Sequence, residues 1–417
     1  MKPQVAVVTV GDELLTGDIV DRHSAWLSHA LTTHGYAVEI HMSAGDAPGA
    51  LRRSLAAIPG TPQVVLIVGG LGPTADDRTR SEVAAAVGVE TEFRDGAWRN
   101  IEDFFRRLGR EPVARNRSQA YFPVGSEVVD NRFGTAPGIR LKGTHDADWW
   151  VLPGVPHELH GLFRETVLPA LLRDCPPPRE QPMTEFRFFA VPESELDGWL
   201  LQQIPATQHE GIHLCCGDGE LRVRLDEPLD LAPAAQKHYG TRFLGAGGTA
   251  LEERVVQAAV AAGCTIATAE SCTGGLLGTR LTDVVGASQA YAGGWVVYSN
   301  ELKTSQLGVE AAVIAECGAV SAEVARALAA GARERAAAGI GIGITGVAGP
   351  GGATAGKPVG TVHLGLAFQD QVCSTLLRLR GERDRVRSLA ANHALFAALR
   401  TLRGDRLATW SRDQSRG

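Results

Sequence analysis

The strongest constraint on this chain is how four of its continuous apolar runs end: each breaks off into a short segment rich in glycine and hydroxyl residues, three of them with acidic residues as well. Val5–Val10 runs into Gly11-Asp12-Glu13-Leu14-Leu15-Thr16-Gly17, and Val64–Val68 opens into Gly69-Gly70-Leu71-Gly72-Pro73-Thr74-Ala75-Asp76-Asp77-Arg78-Thr79. Farther along, Thr265–Ala269 leads into Glu270-Ser271-Cys272-Thr273-Gly274-Gly275, and Gly339–Ile344 into Thr345-Gly346-Val347-Ala348-Gly349-Pro350-Gly351-Gly352. A run with no polar alternation is the mark of a strand buried on both faces, which calls for a parallel or mixed sheet covered by helices. Helical patterns of suitable length separate the runs, so the expected class is α/β with right-handed crossovers. Polar loops at the carboxyl ends of such strands are where open α/β sheets bind ligands.

Punctuation divides the chain. Cys175-Pro176-Pro177-Pro178-Arg179 cannot continue a helix and reads as a linker, and Gly245-Ala246-Gly247-Gly248-Thr249 reads as a second. The expected organisation is an α/β domain over 1–173, a small α+β module over 180–246 and a second α/β domain over 250–403. A polar tail over 404–417 is expected to fray.

Composition narrows the function. With 41 basic and 47 acidic residues the net charge is −6, which argues against a nucleic-acid partner. No apolar stretch reaches the ~20 residues of a membrane span, and the seven cysteines show no CxxC spacing. A reduced, cytoplasmic protein is expected. Only five of the basic residues are lysines: Lys2, Lys142, Lys237, Lys303 and Lys357. The two beyond residue 240 both fall in polar motifs, Tyr298-Ser299-Asn300-Glu301-Leu302-Lys303 and Lys357-Pro358-Val359-Gly360-Thr361. Arginine stays protonated, whereas a desolvated lysine can act as a base.

These motifs suit hydrolysis of a carboxamide, which needs a nucleophile, a base and donors for the oxyanion. Beyond residue 240 the histidines are His363 and His393, in a strand pattern and a helix pattern away from the hydroxyl motifs, so a Ser-His-Asp triad is not expected. Ser271 is left as nucleophile with Lys303 or Tyr298 as proton acceptor. The amides of Cys272, Thr273 and Gly274 would open a helix and serve as anion donors. Serving as a helix N-cap is the competing role for Ser271, and Cys272 is the rival nucleophile. Thr273, Gly274, Gly275, Asn300, Ser321 of Gly318-Ala319-Val320-Ser321, Thr345, Gly346, Gly349, Gly351 and Lys357 complete the expected substrate site. Gly351–Lys357 fits G-x-x-x-x-G-K, but Pro358 and a following strand exclude a Walker A loop.

At the amino-terminal end, Gly69, Gly70, Gly72 and Thr74 offer phosphate donors. Asp76 and Asp77, with Asp12 and Glu13 across the crevice, are candidate ligands for Mg²⁺ or a similar ion. Complementing a helix dipole is the alternative role for each acidic pair.

Over nearly its whole length the chain resembles the competence/damage-inducible CinA family. The resemblance implies a nicotinamide mononucleotide (NMN) deamidase in the carboxyl-terminal domain, with the serine and lysine matching Ser271 and Lys303 assigned to catalysis. It implies a KH-like middle module and a molybdopterin-binding-like amino-terminal domain with metal-dependent ADP-ribose pyrophosphatase activity. Asn131, Gly134 and Thr135 belong to the family pattern there. One departure stands out: Asp21-Arg22-His23 replaces the usual Asp-Thr-Asn, which weakens the pyrophosphatase expectation. The expectation is therefore a bifunctional, homodimeric enzyme of pyridine-nucleotide recycling, acting on NMN and ADP-ribose, with a divalent metal in the first domain and no cofactor in the last. The competing class is a nucleotide- or molybdopterin-binding adaptor in competence or repair. Such an adaptor would tolerate arginine at Lys303.

Overall fold

In the computed structural model, which describes residues 2–178 and 184–405, the chain forms two compact units that divide after residue 181. The expected tail from residue 406 onward lies outside the described residues, as does the end of the first linker.

The first unit is built on a six-stranded mixed sheet. Its strands are β1 (Gln4–Val10), β2 (Ala37–Ala44), β3 (Val64–Val68), β6 (Glu127–Val129), β7 (Gly138–Lys142) and β8 (Asp148–Leu152), while β4 (Thr91–Phe93) pairs separately with β5 (Tyr121–Pro123). The order is β2-β1-β3-β8-β7-β6; pairings are parallel through β8, and β7 and β6 join antiparallel. The apolar runs feed two cores at once. Ala6, Val8, Val65, Ile67 and Val151 pack on one face, and Val5, Val7, Val64, Leu66, Val68 and Leu152 on the other. This two-sided burial is why the sequence shows no alternation.

The second unit starts with the α+β module. β9 (Thr184–Phe189), β10 (Ile212–Gly217), β11 (Glu220–Leu225) and β12 (Phe243–Ala246) form an antiparallel sheet in the order β10-β11-β9-β12. Phe186, Phe188 and Val223 face Leu196, Trp199 and Tyr239 from the two module helices. Phe189 points the other way, into the core of the carboxyl-terminal domain beside Leu251 and Phe396. The expected second linker is thus partly structure. Gly245 and Ala246 pair with Arg187 and Phe186, and Arg254 donates to the carbonyls of Ala246, Gly247 and Thr249.

The carboxyl-terminal sheet has the order β14-β13-β15-β16-β17, from β13 (Ile266–Glu270), β14 (Tyr291–Val296), β15 (Ile340–Gly346), β16 (Thr361–Phe368) and β17 (Gln371–Arg378). β14, β13 and β15 run parallel, β16 pairs antiparallel with β15, and β17 pairs antiparallel with β16. The sequence Ile340-Gly341-Ile342-Gly343-Ile344 has a packing cause. Its isoleucines fill one core, while Gly341 and Gly343 face the small-residue helix Ala322–Arg335. A Cβ there would stand 2.0 Å from the Ala329 carbonyl and 2.4 Å from that of Ala325.

Candidate active site

The carboxyl-terminal site forms where three parallel strands end. The Ser271 amide donates to the Ile344 carbonyl at 3.0 Å, and the Val297 amide to the Glu270 carbonyl at 2.8 Å. These bonds lace the ends of β13, β15 and β14 together, so Ser271, Thr345 and Tyr298 border one cavity of about 290 Å³. Cys272, Asn300, Lys303, Gly346, Gly349, Gly351 and Arg383 also line it.

Lys303 lies in the helix Asn300–Leu307, which Ser299 caps by accepting from the Leu302 amide at 3.2 Å. Its side chain is only 2% exposed, and Nζ turns back to the carbonyls of Tyr298 (3.2 Å) and Ser299 (3.4 Å). Burial holds the ammonium below the usual lysine range, with Cys272 and Glu301 partly opposing the shift. Tyr298 is 62% exposed and its hydroxyl accepts from Arg383 at 3.4 Å, so Lys303 is the desolvated member of the pair. Cys272 shares the cavity, but burial pushes its thiol up to about 12, so it stays protonated and poorly nucleophilic. His363, opposite Thr345 on β16, does not line the cavity. His393 packs edge-on to Phe189, and desolvation lowers it to about 4.

Two expectations need correction. The helix after this segment begins at Leu276 behind Gly275, not at Ser271, so Ser271 is no N-cap. Gly274 and Gly275 take φ of +61° and +92° to make the intervening turn, which glycine enters at least cost. Of the expected donors the Gly274 amide is taken by the Ser271 carbonyl at 3.1 Å, and the helix start beyond it is not free for an anion either. Glu270, 1% exposed, accepts from the amides of Gly275 (3.1 Å), Leu277 (3.0 Å) and Gly278 (2.8 Å). An internal carboxylate already complements this dipole.

Thr273, Ser321 and Lys357, also expected at the site, do not line the cavity. Thr273 is fully buried, and its carbonyl accepts from Arg387 at 3.2 and 3.0 Å. Ser321 caps the helix Ala322–Arg335 by accepting from the Val324 amide, and donates to the Gly318 carbonyl. Lys357 donates to the Cys317 carbonyl at 3.0 Å, and Thr345 to that of Ala319 at 2.7 Å. Ser321, Thr345 and Lys357 thereby hold the Cys317–Ser321 wall. Arg383, which sequence reasoning missed, comes from the first turn of the helix Arg383–Leu402 and donates to the Gly349 carbonyl at 2.8 Å.

The amino-terminal crevice is organised differently. Asp77 accepts from the Gly72 amide (2.8 Å), the Thr74 amide (2.8 Å) and the Thr74 hydroxyl. Thr79 closes the loop by donating to the Gly69 carbonyl at 2.8 Å and through its amide to that of Gly70 at 3.2 Å. Buried Arg80 reaches the Leu71 and Pro137 carbonyls at 2.8 and 3.4 Å. Across the crevice Asp12 and Asp46 exchange backbone-to-carboxylate bonds, 2.9 Å each way, and Glu13 folds back over Gly11. Burial raises the Asp46 carboxyl, and neighbouring Asp12, Glu13 and Asp76 raise it further. Asp76 is exposed and held low by the Thr74 hydroxyl.

Of the four carboxylates expected to share a divalent ion, Asp77 is turned to the loop's own donors and Asp12 to the Asp46 amide. Among the described residues no group of three or more His, Cys, Asp and Glu could hold a metal ion. Because Asp77 is committed to the loop's own donors, the protein ligands present do not fit the ion. Asn131 donates to Glu158 at 2.5 Å and to the Ala136 carbonyl at 2.9 Å. Gly134 lies against that Glu158 carboxylate, and Thr135 accepts from Gln119 at 3.4 Å. His23 bonds the Gly154 carbonyl at 2.8 Å, while Asp21 caps the helix Arg22–Thr33.

Comparison with known proteins agrees with this division. Residues 248–402 match the family described as "CinA C-terminal domain", and residues 6–173 match "Probable molybdopterin binding domain". A CinA-like protein of Anaeromyxobacter sp. is 40% identical over 408 residues, covering 95% of this chain and 98% of its own length. A CinA-like protein of Geobacter sp. is 39% identical over 399 residues, covering 94% and 96%. The crystal structure of a competence/damage inducible protein from Agrobacterium tumefaciens is 37% identical, covers 37% of this chain and 93% of its own, and has a TM-score of 0.36. No helix among the described residues is long and apolar enough to cross a membrane. On the length and identity of these matches, the chain belongs to the CinA family.

Proposed function

We propose that the carboxyl-terminal domain hydrolyses the carboxamide of NMN to nicotinate mononucleotide and ammonia. The observation that carries this reading is one cavity lined by both a serine hydroxyl and a lysine whose burial weakens its hold on a proton. In its neutral form Lys303 takes the Ser271 proton as the serine oxygen adds to the carboxamide carbon. The proton then passes to the departing nitrogen, which leaves as ammonia. Water hydrolyses the resulting serine ester, with Lys303 again accepting a proton, and Ser271 is restored.

Arg383 suits the nucleotide phosphate because it is a cation on the cavity lining whose guanidinium is already oriented by the Gly349 carbonyl. The cavity is near the lower end of the roughly 300–1,000 Å³ typical of small-ligand sites. No step in this chemistry calls on a metal, so EDTA should leave the rate unchanged. For residues 6–173 we propose binding of a phosphorylated nucleotide or pterin in the crevice beside Gly69–Thr74, without assigning it a turnover step. Ammonia release by the full chain is the test, with NMN compared against nicotinamide riboside. NMN should be strongly preferred, and no ammonia from NMN at any pH would end the proposal.

A further inference from the structure

Among the polar contacts between the α+β module and the carboxyl-terminal domain, one lies on the helix that leads to the cavity. The turn between β10 and β11 places Asp218 in the left-handed region, at φ +46°. From there its carboxylate accepts from the Ser388 hydroxyl at 2.5 Å, and its carbonyl accepts from the Asn392 amide nitrogen at 2.8 Å. Ser388 and Asn392 are four residues apart, on one face of the helix Arg383–Leu402. The Asn392 side-chain oxygen also accepts from Arg280, which pairs with Glu252 at 2.8 Å.

The opening turns of the same helix serve the candidate active site. Arg383 donates to the Gly349 carbonyl and the Tyr298 hydroxyl, and Arg387 donates twice to the Thr273 carbonyl, two residues beyond the nucleophile. Val386 is the one side chain of the first turn that enters the core. Residues 382–385 are exposed, the N-cap position Glu382 makes no side-chain cap, and the first fully buried residue is Val386. Beyond the burial of Val386, the start of the helix is held by directed hydrogen bonds, from the loops lining the cavity on one side and from the module's turn on the other.

We propose that Asp218 is a positioning residue for the amidase site. By fixing Ser388 and Asn392 it sets the helix whose first turns present Arg383 to the cavity mouth and clamp the Ser271–Gly275 turn through Arg387. This rests on the NMN reading for its kinetic consequence, but the mechanical coupling stands apart from it.

The test uses the full chain with Asp218→Gly, Ser388→Ala, the double variant and Asp218→Asn. Glycine accepts the left-handed turn, so Asp218→Gly removes the carboxylate without backbone strain. Ser388→Ala breaks the same bond from the other side. Each single variant should raise KM for NMN roughly tenfold, the worth of one hydrogen bond to a charged group, with kcat little changed. The double variant should be no worse than either single, since both remove one shared interaction. Asp218→Asn, which keeps an acceptor and tolerates the turn, should restore KM.

Amide hydrogen exchange should quicken at residues 383–388 and 272–275 in the Gly and Ala variants and stay unchanged over β1–β3. Wild-type KM and exchange in both singles would overturn the proposal, as would additive losses in the double variant. If wild-type protein releases no ammonia from NMN, the proposed function fails while exchange alone decides the coupling. Unchanged exchange would then refute it.

Discussion

The two glycine-rich loops at the carboxyl ends of parallel strands look alike in sequence and are built to different ends. In each, a carboxylate is spent on the loop's own amides: Glu270 on Gly275, Leu277 and Gly278, and Asp77 on Gly72 and Thr74. In the carboxyl-terminal loop that expenditure leaves Ser271 and Lys303 on a cavity wall. In the amino-terminal loop it removes an expected metal ligand. An acid in such a loop is thus as often its scaffold as its chemistry, and the side chain that tells the two apart is the desolvated lysine.

The sharpest way to break the comparison is Ser271→Ala. Loss of a nucleophile that works with its base as a unit costs on the order of 10⁴–10⁶-fold in kcat, so stopped-time ammonia assays should find almost no turnover. Retention of substantial activity would return the carboxyl-terminal loop to the status of a binding loop.

Lys303→Gln should lower kcat by about 10²–10⁴-fold, the usual worth of general-base assistance. The wild-type pH profile carries the same information. Because burial lowers the Lys303 proton affinity, deamidation should rise with pH through a value below the ordinary 10.5, and the rise should vanish in the variant. The same shift acts on stability. Between the folded and unfolded values the unfolded chain binds the proton more readily, so stability should increase with pH across that window. A flat profile would assign the base elsewhere.

Asp77→Ala should cost about 2 kcal/mol through the loop amides and hydroxyl it leaves unpaired. Calorimetry of ADP-ribose binding should show a loss of affinity of similar size with and without Mg²⁺. A loss seen only with Mg²⁺ would mean that Asp77 is a metal ligand after all, and that the two loops are more alike than the structure makes them.

Cys272→Ala should have the smallest effect, leaving kcat within a few-fold, since a thiol pushed up to about 12 is not an available nucleophile. A dead Cys272→Ala beside an active Ser271→Ala would reverse the assignment.

What was legible in the sequence followed from local rules. Strands buried on both faces show as unbroken apolar runs. Lys303 stood out because arginine fills nearly every other cationic position. What stayed hidden depends on tertiary geometry. Glu270 finds its amides only after the Gly274–Gly275 turn has folded them back. Arg383 reaches the cavity from the start of a distant helix, and in a chain so rich in arginine its composition gives no signal. Asp12 and Asp46 satisfy each other across two strand ends. Gly245 and Ala246 read as linker because glycine marks loops, yet they complete a strand.

The most direct measurement is ammonia release from NMN by the full-length protein, wild type beside Lys303→Arg, in EDTA and across the pH range. Arginine keeps the charge and cannot give up its proton. The account predicts sustained release by wild type and almost none by the variant at every pH. Equal release by both proteins, or none by wild type, would contradict it.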